Sequence, residues 1–322
     1  MTAQQLKNSI LQMAVQGKLV PQDPNDEPAS VLLERIRAEK EKLIREGKIK
    51  REKNPSVIFR GEDNMPYEKI ENNPPVCIAE EVPFEIPESW AWVRLADLVA
   101  IYTGKKDANF GTPNGKYDFF TCSNEPIRST TYSYDGEYLI MPGNGANIGL
   151  VIYYHGKFEA YQRTYLLENI HDINLTYVKY HLEFNWKSYN TDKMYGSAIP
   201  YIKLRNLQNY LVAIPPVKEQ SRIVDEIERY LLLVQSYEYK ELDLARLDKA
   251  FPALLKKSIL QQAVMGKLVP QDETDEPASV LLDRIRVEKQ ALVKAGKIKK
   301  DKHESVIYRR DNSHYEKLDG VE

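Results

Sequence analysis

The chain has 322 residues, a formal net charge of −2, 42% hydrophobic and 29% charged residues, and two cysteines, Cys77 and Cys122. Such a length holds one large domain or two ordinary ones with real cores, and the near-neutral balance excludes a global field that would drive the protein onto nucleic acid or an acidic membrane. Two cysteines make no disulfide framework, no apolar run reaches membrane-spanning length, and the start Met1-Thr2-Ala3-Gln4-Gln5 lacks a signal-peptide pattern, so a soluble chain of the reducing cytoplasm is expected.

In chain order, Leu6, Ile10, Leu11 and Val15 form one stripe of a short helix over residues 6–16, stopped by Gly17. Pro21, Pro24 and Pro28 mark an irregular crossing. A second helix follows over about residues 28–46, with Val31, Leu32, Leu33, Ile36 and Leu43 on its apolar face and Gly47 at its end. Residues 48–80 read as an extended, proline-containing linker with little core potential, so residues 1–80 make one helical segment with its linker.

Residues 81–216 have a different texture and hold 15 of the 21 tyrosines. Trp92–Leu95, Glu137–Ile140, Leu150–Tyr154 and Thr164–Leu167 carry the alternation or β-branched and aromatic runs of strands, and Tyr177, Tyr180, His181 and Phe184 set a helix over about 174–188. This is an α+β domain of ordinary size. After Pro215-Pro216, Ile223, Ile227, Tyr230, Val234 and Tyr237 alternate at steps of four and three. They define a helix over residues 217–255, about 50 Å long. One apolar seam on so long a helix needs a partner helix.

The remaining segment, 256–322, repeats the first. From Ser9 to Arg60 the chain returns at a constant offset of 249 residues, with about two thirds of positions identical, and Tyr67-Glu68-Lys69 returns as Tyr315-Glu316-Lys317. Helices are therefore expected again at 255–265 and 277–295. Adjacent short repeats would make a solenoid; two copies this far apart read instead as equivalent docking elements flanking something different. Both copies are locally basic over 35–53 and 284–302.

Catalytic chemistry finds little support. His155, His171, His181, His303 and His314 have no metal-ligand spacing, and neither cysteine has a close Cys or His partner. Gly143-Asn144-Gly145-Ala146-Asn147-Ile148-Gly149 has the glycines of a phosphate loop. A strand rather than a helix follows it, so it reads as a β-turn. Asn73-Pro74-Pro75-Val76 resembles the Asn-Pro-Pro-aromatic motif of adenine methyltransferases, but Val76 cannot stack on an extruded base. No enzymatic activity and no cofactor are expected of the chain itself.

Pro83-Phe84-Glu85-Ile86-Pro87-Glu88-Ser89-Trp90-Ala91-Trp92-Val93-Arg94-Leu95, Thr103-Gly104, Tyr195-Gly196-Ser197-Ala198-Ile199-Pro200 and Ile214-Pro215-Pro216-Val217-Lys218-Glu219-Gln220-Ser221-Arg222-Ile223-Val224 stand in this order along the chain. In order and spacing they resemble the specificity subunits of Type I DNA restriction–modification enzymes, nearly end to end. The resemblance implies a target-recognition domain at 81–216 that reads half of a split DNA site, and a spacer helix that docks methyltransferase subunits. The family usually has two such domains and two long helices; this chain has one of each, a half-length form.

The resemblance implies double-stranded DNA and methyltransferase subunits as partners, with S-adenosylmethionine on the latter and ATP and magnesium on a restriction subunit. It places the 143–149 turn near the DNA-facing side, which makes Asn144 and Asn147 candidate contacts. Lys105, Lys106 and Lys193 with Tyr195 and Ser197 offer phosphate contacts; Arg163 could address guanine and Gln162 adenine. Each is also what an ordinary surface carries, and tyrosines serve strand cores equally well. Ile223, Ile227, Tyr230 and Val234 are expected to join two copies as a homodimer. The alternative is a non-catalytic assembly protein that binds methyltransferase subunits without useful DNA specificity.

Overall fold

A computed structural model describes residues 1–49, 51, 55–169, 171–301 and 305–318. His303 lies outside the described residues. The chain divides into two compact units, Met1–Arg246 and Leu247–Glu322.

In the first unit, helix α1 (Ala3–Val15) begins three residues earlier than its apolar stripe. Thr2 caps it, accepting from the Gln5 N–H while the Gln5 side chain returns to the Thr2 N–H. Helix α2 (Ala29–Arg45) follows the expected bounds. Residues 48–80 are more than a linker. Strands β1 (Ser56–Arg60), β2 (Pro66–Ile70) and β3 (Val76–Cys77) form a three-stranded sheet in that order, and Glu68 and Ile78 are buried. The prolines that suggested an extended linker sit where they cost no ladder bond: Pro66 opens β2 and Pro74 and Pro75 precede β3.

The central region follows as β4 (Ala91–Arg94), α3 (Leu95–Leu98), β5 (Val99–Thr103), β6 (Tyr117–Phe120), β7 (Ile127–Ser129), β8 (Tyr134–Pro142), β9 (Ile152–Ala160) and β10 (Thr164–Asn169). Then come α4 (Leu175–Tyr189), α5 (Leu204–Gln208) and β11 (Leu211–Ile214). A six-stranded sheet runs β5-β10-β8-β9-β6-β7, mostly antiparallel with β6 parallel to β9, while β11 pairs with β4 in a small second sheet. Gly143–Gly149 is a turn and strand structure follows it; that strand starts at Ile152, two residues later than its apolar run.

One face of the large sheet carries an aromatic core of Phe120, Tyr134, Tyr138, Phe158 and Leu166. The other belongs to the main core, where Leu139, Met141 and Leu167 cluster with Trp90, Val93, Tyr177, Trp186 and Tyr210. Leu11, Ala14, Leu32, Leu33 and Ile36 of the first repeat join that same core, with α1 packed on α4 and α2 on α3. The change of texture near residue 80 is therefore not a boundary of packing.

Helix α6 runs from Val217 to Val264, past the expected end at residue 255 and through Pro252. The short helix expected at 255–265 is its continuation. Pro252 stands, at the repeat offset, opposite Ala3, the first residue of α1. Proline suits a helix start and costs about 3 kcal/mol inside one, so the duplicated start has been overrun. Ile223 and Ile227 are fully buried in the core of their own unit, Val224 beside them. They are unavailable as a seam between copies, a correction to the sequence expectation; Tyr230 and Val234 are half-buried.

The second unit holds the end of α6, helix α7 (Ala278–Lys294) and the hairpin of β12 (Ser305–Arg310) and β13 (Ser313–Leu318). Among the described residues no helix is long and apolar enough to cross a membrane, and no group of three or more His, Cys, Asp or Glu is placed to hold a metal ion.

Candidate nucleic-acid interface

The large sheet is closed where its first strand meets the end of β9. Beyond β5, the Lys105 and Lys106 N–H groups donate to the Ala160 carbonyl at 3.1 and 3.2 Å, the Gln162 N–H donates to the Lys106 carbonyl at 2.9 Å, and Lys106 pairs with Tyr161. Gly104 makes this closure possible: a Cβ there would lie 2.1 Å from the Tyr161 carbonyl oxygen. That is a physical reason for the Thr103-Gly104 pair. Lys105, Lys106, Gln162 and Arg163, from segments nearly sixty residues apart, thus share one rim.

The same rim gathers two further loops. The Gly143 N–H donates to the Arg163 carbonyl at 2.9 Å and the Ile202 N–H to the Gly143 carbonyl at 2.9 Å. Asn144 pairs with Tyr201, and Tyr201 exchanges both backbone hydrogen bonds with Tyr195 at 2.9 Å. Asn144, Arg163, Tyr195 and Ser197 are therefore neighbours through the backbone.

The side chains divide by how far they are already committed. The exposed Arg163 guanidinium has no hydrogen bond or ion pair among the described residues, and Lys105 is exposed with its ammonium 5.8 Å from the Tyr134 ring. Gln162 Nε2 donates to Asp107 Oδ1 at 3.1 Å, leaving its carbonyl oxygen as the readable group. Lys106 is held inward, 4.4 Å from the Phe110 ring and 3.9 Å from the buried Glu159 carboxylate, which also accepts from Ser133 Oγ at 2.9 Å. Asn147 Nδ2 donates to the Cys122 carbonyl at 2.8 Å and fastens the turn after β6. Lys106 and Asn147 thus shape the rim more than they face solvent.

Lys193 points elsewhere. Its ammonium sits 3.5 Å over the Tyr189 ring, in a cleft of about 620 Å³ lined also by Glu81, Arg94, Tyr195 and Arg205, and burial holds its pKa below the usual lysine value. Behind the rim, burial raises the Tyr102 and Tyr134 hydroxyls to about 12, and Glu168 and Glu159 add to the effect respectively. Both remain neutral donors at physiological pH; Tyr134 Oη donates to the Thr103 carbonyl at 2.9 Å.

Residues 87–242 match the family of the Type I restriction modification DNA specificity domain. Over that segment the chain resembles a Type I specificity domain. The match runs from the turn before β4 to within α6 and includes every rim residue. The chain is 31% identical over 364 residues to the Type I restriction enzyme EcoEI specificity subunit of Escherichia coli, and 33% identical over 371 residues to the EcoAI specificity subunit of the same species. Each alignment covers 92% of this chain and 57% of the relative, so the chain spans little more than half the length of those subunits. Among solved structures, the HsdS subunit from Thermoanaerobacter tengcongensis matches at a TM-score of 0.40 and 20% identity, over 58% of this chain and 47% of that one.

Sequence reading missed three features of this region. Lys203 lies 3.9 Å over the Tyr195 ring. Arg205 shares the cleft with Lys193. Arg94 makes a two-pronged pair with Glu68, at 3.0 and 2.6 Å, and reaches Glu81. Lys203 and Arg205 directly follow the quoted Tyr195–Pro200 motif, so proximity could have flagged them. Arg94 and Glu68 meet only through the fold.

Proposed function

We propose that this chain is the non-catalytic, DNA-sequence-specific subunit of a Type I restriction–modification assembly. It reads one half of a split site and positions methyltransferase subunits on it. The observation that carries the reading is the match of residues 87–242 to the specificity domain, which covers the rim where Lys105, Gln162, Arg163 and Asn144 converge. Arg163 is the base-reading candidate, since a free guanidinium can address guanine O6 and N7 with two bonds, and Lys105 is the phosphate candidate. S-adenosylmethionine, ATP and magnesium belong to partner subunits in this reading, and the site of action is the cytoplasm.

The proposed homodimer uses a seam further along α6 than Ile223. Tyr237, Leu244, Leu247, Phe251 and Leu254 are exposed and spaced at sevens and at threes and fours, a coiled-coil pattern. Two identical domains related by a two-fold axis read a palindromic bipartite target.

Methylome sequencing of a host with and without the gene tests the function. One adenine-methylated bipartite palindrome should vanish with the gene. An unchanged methylome overturns the reading, and an asymmetric motif overturns the homodimer. On the target so defined, Arg163→Ala should cost about 1–3 kcal/mol of binding with little loss on random DNA, while Lys105→Ala should weaken both alike.

A further inference from the structure

The loop between Lys193 and Lys203 presents a strongly exposed aliphatic side chain at the rim. Ile199 is 63% exposed at the tip of residues 195–201, with Met194 and Tyr195 also exposed at its base. An isolated exposed aliphatic residue is ordinary. This one is rigidly offered. The two ends of the loop are tied by the reciprocal Tyr195–Tyr201 hydrogen bonds, and their rings stack with centroids 5.6 Å apart. The Pro200 carbonyl accepts from the Gly145 N–H at 2.9 Å, which fastens the tip to the turn beside Asn144. Gly196 has φ +83° and a Cβ there would lie 2.5 Å from the Ile199 carbonyl oxygen, so only glycine permits the fold-back that lifts Ile199 outward.

A cation stands beside the loop: Lys203 lies over Tyr195, and Arg205 follows two residues later. Lys193 and Arg205 line a cleft that Glu80 and Glu81 also line, while Lys203 stands outside it. An aliphatic side chain followed by proline, on a rigid support beside a cation, is the chemistry that wedges between base pairs: the cation meets a phosphate while the wedge unstacks one step and bends the duplex.

We propose that Ile199, backed by Pro200, is a DNA wedge of this domain, inserting at a base step next to the bases addressed from the Arg163 rim and bending the half-site. The proposal rests on the DNA-binding reading given above. It adds a readout by deformability: steps that unstack easily, such as TA and CA, are favoured where the wedge enters, without any hydrogen bond to their edges.

The test uses the full chain and an end-labelled duplex carrying the methylome-defined target, with 2-aminopurine scanned through each half-site. Wild type should bend the duplex, seen as energy transfer between the end labels, and brighten 2-aminopurine at one step. Ile199→Ser should lose both signals and bind about tenfold more weakly, while Ile199→Leu keeps them. Circular dichroism should be unchanged, since the side chain is exposed. If Ile199→Ser bends and binds like wild type while Arg163→Ala does not, the wedge is overturned and the DNA-binding reading stands. If it binds DNA normally but fails to retain the methyltransferase, the loop is a protein contact and the wedge is equally overturned. A wild-type chain that binds no duplex sinks both.

Discussion

Leu32 in α2 is 1% exposed; Leu281, its counterpart in α7, is 48% exposed. Val15 and Val264 differ still more, at 1% and 88%. Yet the two copies build the same local structure. Gly47 and Gly296 end their helices at φ +70° and +68°. Gln22 and Gln271 reach back to the carbonyls of Gly17 and Gly266 at 3.3 and 3.2 Å. Arg35 pairs with Glu27 as Arg284 pairs with Glu276, and the hairpins stack Phe59 on Tyr67 and Tyr308 on Tyr315. Local sequence thus writes turns, caps and short-range pairs, and writes them twice. Burial is not written locally. The first copy has it because Pro87–Trp90, α3 and α4 fold onto it: the Ala29 N–H donates to the Ser89 carbonyl, and a Cβ on Gly17 would strike Pro87.

The sharpest way to break this contrast is amide exchange. A helix takes most of its stability from the packing of its apolar face; α2 is locked into the main core, whereas α7 has no buried residue. The amides of α2 should exchange at least about a thousandfold more slowly than those of α7 in dilute solution, because only global unfolding frees the former. Equal protection would mean that something covers the α7 face in solution. A protection of α7 that grows with protein concentration would make a second copy the cover.

The same contrast can be read from side chains. Leu32→Ala should destabilise the first unit by about 2–5 kcal/mol, the range for emptying a packed leucine site. Leu281→Ala should cost less than about 1 kcal/mol, since its side chain is half in water already. Urea unfolding followed by tryptophan fluorescence reads the first unit, because Trp90, Trp92 and Trp186 all lie there, and far-ultraviolet circular dichroism followed in parallel reads the helices of both units. A Leu281→Ala penalty matching that of Leu32→Ala would end the comparison.

Acid should separate the two units as well. His181 is fully buried, with Nδ1 at 3.0 Å from Tyr210 Oη and Nε2 accepting from the Ala213 N–H at 3.2 Å, and burial lowers its pKa to about 3. The folded unit therefore holds a neutral imidazole while the unfolded chain takes a proton near pH 6.5. Its contribution to stability is complete above pH 6.5 and falls by up to about 1.4 kcal/mol per pH unit below it, towards pH 3. Glu219, raised by burial, works in the opposite sense, so His181→Gln is the control: it should flatten the slope between pH 6.5 and 5. A slope unchanged in that variant would remove His181 as its source.

Much of this architecture is legible in sequence, and the misses share a cause. The repeat, α2, α4 and the 143–149 turn rest on periodicity or on glycine, which act over a few residues. The expected seam at Ile223 and Ile227 used the correct period but the wrong partner, because a heptad pattern states that a face is covered without stating by what. The sheet over residues 56–77 escaped because its strands are short and interrupted by prolines. Glu159 beneath Lys106 and Glu68 beside Arg94 escaped because they are contacts of topology.

The smallest effect belongs to one ion pair. Asp26 is buried and accepts from Arg222 Nη2 at 2.5 Å, so the first repeat is pinned to the start of α6. Asp275 occupies the same place in the second repeat and is exposed. Arg222 is more than a third exposed, so solvent screens the pair, and its worth lies near that of a single charge-assisted hydrogen bond. Asp26→Asn should therefore cost about 1 kcal/mol and lose part of that cost in high salt, which weakens the wild-type pair and leaves the variant nearly unchanged. Asp275→Asn should be neutral within about 0.5 kcal/mol at any salt concentration. A double-mutant cycle between Asp26→Asn and Arg222→Gln isolates the coupling. If that coupling is zero, Asp26 is held by packing alone, and the two copies differ only in what covers their apolar faces.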